Sequence, residues 1–184
     1  MLNKRNWNAR DGSRVLKGMF CGLAGGLVAS WAMNQFQSLL SNFPRQNGDP
    51  QEQQPEQSGA DNEPATEKAA VAIAKSIFGH ELPQSIKKPA GEVVHYAMGA
   101  ISGVMYGAAA EFVPDVTIGA GLPFGAAVWL VADEVIVPAL QLSKQPLQYL
   151  ASKHLNALAS HLVYGLTTEI GRRSVRQGLR RPGR

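Results

Sequence analysis

Two histidines and two carboxylates, His95, Asp133, Glu134 and His161, stand inside stretches that otherwise hold almost no charge. Imidazole and carboxylate together can exchange a proton or hold a small cation, because both change charge readily when their surroundings change. A metal ion would need nitrogen and oxygen ligands converging from three helices, which these four residues supply only if those helices meet. Neighbouring residues on an α-helix project about 100° apart, so Asp133 and Glu134 cannot both aim at one point. One faces inward and the other reaches toward headgroups or a loop. A purely structural role for the four competes with the proton or cation reading, and no metal or cofactor is assigned to them.

A second set is Glu111, Glu169, Arg172 and Arg173. Arg172 and Arg173 lie about one helical turn beyond Glu169 and can pair with it. This reads as a charge network that locks helix ends at an interface. Signatures of hydrolysis and phosphate chemistry are missing: the chain has no G-x-S-x-G, no phosphate-binding glycine loop and no H-E-x-x-H. The sequence therefore argues against an enzyme.

The segments that must position these residues are apolar. No charged residue lies between Lys17 and Arg45. A crossing helix needs roughly 20 mostly apolar residues to traverse about 30 Å of hydrocarbon. The expectation is an all-α, polytopic membrane protein with four transmembrane helices, at 18–40, 93–113, 117–139 and, after an outer turn within 146–170, about Leu155 to Ile170. The fourth is the weakest, since His161 and Glu169 fall within it. A soluble bundle of buried helices is the competing architecture. The basic start is followed by a long apolar run without a small-residue cleavage site, so the first segment reads as a retained anchor.

Between the first two spans, residues 41–65 form an acidic, Gln-rich linker, and Pro44 to Pro64 contain no Val, Ile, Leu, Met or aromatic residue. Such a segment cannot offset its ordering entropy by burial, which predicts disorder. An amphipathic helix over 66–82 follows, with Thr66 as its cap and Ala70, Ile73, Ala74 and Ile77 on one face. It either lies at the membrane interface or packs on the loop side of the bundle.

Charge placement sets the expected topology. Residues 1–17 hold five Lys or Arg, and residues 171–184 hold six Arg and no acid, while the whole chain carries +4. Basic flanks stay cytoplasmic, so both termini are expected inside and the number of spans even. The basic tail suits anionic lipid headgroups. It lacks aromatic interleaving or a binding fold, which speaks against nucleic acid. The lone Cys21 excludes a disulfide framework.

Glycines recur every four residues: Gly18, Gly22 and Gly26, then Gly99, Gly103 and Gly107, then Gly121 and Gly125. In lipid, small residues at this spacing let backbones approach closely, so these faces are assigned to helix packing and to self-association into a homo-oligomer. The pattern S-x3-YG-x3-E occurs twice, as Ser102, Tyr106, Gly107, Glu111 and as Ser160, Tyr164, Gly165, Glu169. Two parallel helical hairpins related by an axis along the membrane normal would produce it, and chance likeness between small-residue helices is the competing account.

The C-terminal third resembles a known family. Trp129, Ala132-Asp133-Glu134, Pro138 and Leu140, then Ser160-His161-Leu162-Val163-Tyr164-Gly165 and Glu169-Ile170-Gly171-Arg172-Arg173, are similar to the YagU-like family of small bacterial inner-membrane proteins. The resemblance covers about the last 90 residues and only loosely the first span. It implies a bacterial inner membrane and several spans, and it brings no established activity. Two functions remain in view: structural or stress-related work in the cell envelope, and a small proton- or ion-linked transporter or channel component.

Overall fold

The computed structural model describes residues 9–42, 63–143 and 151–180. Most of the linker at 41–65, the outer turn expected from 146 and the chain ends lie outside the described residues. The described residues are helical, with no strand among them. Helix α1 spans Ala9–Asn42, α2 Ala65–Phe78 and α3 Gln84–Phe112. A 3-10 turn, Pro114–Thr117, leads to α4 over Leu122–Ala139, and α5 spans Ala151–Gly178.

Helix α1 is the centre of the bundle, packing against α3 on one side and α5 on another. Helix α4 packs against α5, and α2 lies on the first turns of α3. Phe124 of α4 reaches back to α3, its ring stacked on Tyr106 with centroids 4.3 Å apart. Ala29, Met33 and Tyr164 form the apolar centre, with Phe124 and Val128 packed against it. The start of α1, the end of α3, the start of α4 and the end of α5 share one end of the bundle, called the basic end below. The opposite end holds α2 and the remaining helix termini.

Three of these helices are long and apolar enough to cross a membrane: Gly12–Asn42, Gln84–Phe112 and Leu122–Ala139. Their outer surfaces expose large apolar side chains such as Phe20, Trp31, Ile101, Met105 and Val131. Several boundaries differ from those the sequence suggests. Gly119, Ala120 and Gly121 all take positive φ, so the third apolar helix begins at Leu122 rather than 117, with Gly121 just ahead of it. Thr66 does not cap α2; Pro64 stands at the cap, and its carbonyl accepts the Glu67 and Lys68 amides. Gly79, left-handed at φ 76°, ends that helix. Of the apolar face of α2, Ala70 and Ala74 are buried while Ile73 and Ile77 stay exposed. Helix α3 begins nine residues ahead of the expected span and accommodates Pro89, whose missing N–H removes one ladder bond.

The middle of α4 is not regular. From Leu130 to Ile136 the backbone widens into a π-helix, and the Val137 amide donates to the Ala132 carbonyl five residues back. Such wide turns are uncommon and are frequent at functional sites. Asp133 and Glu134 lie within this one.

Candidate functional site

Close backbone approach between helices sets the frame in which the charged groups lie. A methyl built on Gly18 would lie 2.6 Å from the Gly107 carbonyl oxygen and 2.5 Å from the Glu111 side chain. Gly22 meets the Gly103 carbonyl and Gly26 meets the Gly99 carbonyl in the same way, so α1 and α3 mesh antiparallel along their glycine rows. Gly121 and Gly125 lie against Gly165 and the His161 backbone, which brings α4 onto α5. A third seam escaped the sequence reading: Gly25 of α1 abuts Thr168 and Gly171 of α5. The signal was present in the Gly25-Gly26 pair, but a single four-residue row hides a second face about 100° away.

At the basic end this packing buries two carboxylates. Glu169, its side chain 1% exposed, accepts from Arg172 Nε at 2.7 Å and Nη2 at 2.9 Å, and from Arg173 Nε at 2.5 Å. A two-nitrogen contact of this kind fixes orientation as well as charge. Glu111 accepts from Arg176 Nη2 at 2.8 Å, with Arg14 Nε 3.8 Å away. Arg14 and Arg176 are therefore members of a network for which the sequence suggested only Arg172 and Arg173. The Arg172 guanidinium also sits 5.9 Å above the Tyr106 ring, within cation–π range. The Tyr106 hydroxyl lies beside Glu169 without a hydrogen bond of regular geometry.

Toward the middle of the bundle the two acids of α4 take different partners. Asp133, its side chain 37% exposed, brings Oδ2 3.6 Å from His161 Nδ1 on α5, while that same nitrogen is 3.0 Å from the Ala157 carbonyl. Glu134 faces a different partner, His154 Nδ1 at 2.7 Å. His95 of α3 lies against the Ser30 backbone and close enough to Asp133 and His161 for their charges to act on it. Thus Asp133, His161 and His95 share one neighbourhood, and Glu134 belongs to a separate pair. His154 completes that pair and is not among the residues the sequence singled out.

Among the described residues, four buried side-chain polar atoms lack a partner: Ser30 Oγ, His95 Nε2, Trp129 Nε1 and the Tyr106 hydroxyl. A buried donor or acceptor left unmade costs about 1–3 kcal/mol, so such atoms are scarce in folded proteins. Ser30 and His95 lie together, which leaves unused hydrogen-bonding capacity inside an apolar bundle. Among the described residues no group of three His, Cys, Asp or Glu is placed to hold a metal ion.

A family model described as a protein of unknown function, DUF1440, matches residues 43–170. The match takes in the acidic linker and stops just short of Arg172 and Arg173, and the YagU-like resemblance is consistent with it. No curated protein and no solved structure matches the chain.

Proposed function

The chain belongs to this DUF1440 family of unknown function, and from that premise we propose a four-span, proton-linked protein of the bacterial inner membrane. The observation that carries the reading is the Asp133–His161 pair at 3.6 Å with His95 beside it, on three different helices. Ionisable groups inside an apolar bundle cost about 2.5–3.5 kcal/mol each even on the mildest scales, and they serve substrate, ion or proton traffic by default. The unpartnered Ser30 and His95 atoms supply places for a proton or a water to bind. The role assigned is that of a small transporter or channel component, without catalysis or cofactor.

In this proposal α5 is the fourth span. Its 28 residues reach about 42 Å at ~1.5 Å each, ample for the hydrocarbon core. Its hydropathy is low because it carries Ser160, His161, Thr168 and Glu169, yet all four are buried in the bundle, and Leu155, Leu166 and Ile170 face out. The basic flanks at both ends of the chain favour cytoplasmic termini. The paired contacts Gly18–Gly107 and Gly121–Gly165, each followed by a buried glutamate on the second helix, support the reading of two parallel repeats.

Structural or stress-related work in the envelope is the second reading. It is favoured by the glycine seams and the paired arginines, which hold the bundle closed at its basic end. Proton flux into liposomes driven by a pH gradient separates the two. His161→Ala and Asp133→Asn are expected to abolish flux that the unaltered chain supports. Flux indifferent to both substitutions leaves the structural reading standing.

A further inference from the structure

We infer that the arginine-lined cleft at the basic end binds the phosphate of an anionic phospholipid, with an acyl chain laid along the apolar groove beside it. The cleft has a volume of about 270 Å³ and lies between the start of α1, the end of α3 and the end of α5. Arg14, Arg172, Arg173, Arg176 and Arg180 line it, and Glu111 is the single acid on its wall. Even with the buried Glu169 included, five guanidinium groups face two carboxylates, so the site keeps an excess of positive charge.

The internal ion pairs do not use up the donors. Arg173 engages Glu169 through Nε, and Arg176 engages Glu111 through Nη2, while each guanidinium carries five N–H groups in one plane. Arg180 has no acidic partner among the described residues. Glu169 and Glu111 hold Arg172 and Arg176 in place from behind, leaving Arg173 and Arg180 on the open side. A preset fork of this kind suits the oxygens of a phosphate.

The neighbouring groove decides the source of that phosphate. It measures about 420 Å³ and is walled by Leu16, Phe20 and Leu179, with Ser13 and Lys17 at its edge. Arg14 and Arg180 line the cleft while their chain neighbours Ser13 and Leu179 line the groove, so the two abut where α1 meets the end of α5. Leu16 is 66% and Phe20 55% exposed, an apolar surface that a soluble phosphate would leave bare and an acyl chain would cover. The inference is independent of the proton-linked reading, because no residue of the Asp133 cluster takes part.

Thermal unfolding of the full chain in mild detergent tests it. Cardiolipin is expected to raise the midpoint by several degrees, with phosphatidylcholine and inorganic phosphate leaving it unchanged. Arg173→Gln with Arg180→Gln should weaken the apparent affinity for cardiolipin about tenfold or more, since each removes charge-assisted hydrogen bonds. Lys75→Gln, which deletes one exposed charge on α2, should keep the full shift. Should the double variant fail to fold, Arg180→Gln alone carries the comparison. A shift from inorganic phosphate equal to that from cardiolipin overturns the lipid in favour of a soluble anion. Equal shifts with phosphatidylcholine, or an undiminished shift in the variants, overturn the site.

Discussion

The Tyr164 hydroxyl on α5 donates to the Gly99 carbonyl on α3 at 2.7 Å, across the face of α1 and 65 positions along the chain. Gly99 itself lies against Ser30 and Gly26 of α1, so one glycine joins three helices. Tyr164→Phe keeps the ring and deletes the donor. The expected loss is about 0.5–1.5 kcal/mol in denaturant unfolding, because the carbonyl keeps its place in the helix ladder.

Leucine in the two tyrosine-following glycines separates packing from lipid contact. Gly107 sits on the Gly18 carbonyl and Gly165 on the Gly121 carbonyl, backbone to backbone. Gly107→Leu and Gly165→Leu should each destabilise the bundle by at least ~1–3 kcal/mol, and by similar amounts if the hairpins are repeats. Met105→Leu, at a position 66% exposed, should fall within about 0.5 kcal/mol of the unaltered chain. One sensitive glycine beside an indifferent counterpart would reduce the repeat to coincidence.

The two buried glutamates should not respond alike. Glu169→Gln leaves Arg172, its side chain 11% exposed, with a buried and uncompensated charge, an expected cost of about 3–5 kcal/mol. Glu111→Gln faces the open cleft, where Arg14 is 65% exposed and water reaches the network. Its expected cost is about 1–3 kcal/mol. Helicity followed against denaturant for both variants checks the order, and equal losses would mean that the cleft does not admit water.

Reporter fusions test the crossing of the membrane. A fusion after Gln177 should give a cytoplasmic signal, and one near Gly59, outside the described residues, an external signal. A cytoplasmic signal at both sites would remove the odd crossing between them.

Much of the helical architecture is legible because a four-residue glycine period and long uncharged runs are local properties of the chain. Which row meets which is not local. Nothing in the spacing of Gly25 marks Gly171 as its neighbour, and nothing near Arg14 or Arg176 points to Glu111. Those pairings come from packing between segments far apart. The wide turn at Leu130–Ile136 was equally hidden, since a π-helix leaves no distinct periodicity over seven residues. Low hydropathy in α5 has the opposite origin: averaging over its residues discards the fact that Ser160, His161, Thr168, Glu169 and Arg172 are sheltered.

The order of synthesis gives the central place of α1 a cost in time. It leaves the ribosome before both of its partners, since α3 starts at Gln84 and α5 at Ala151. Until more than a hundred further residues have been made, one of its bare glycine seams has no helix of its own chain to cover it. A chain interrupted after α4 would therefore keep the α1–α3 seam and strand Gly25, Gly121 and Glu111 without their counterparts on α5. Completion of this bundle hinges on α5, and until it is made the α5-facing seam of α1 is the surface most in need of a temporary companion.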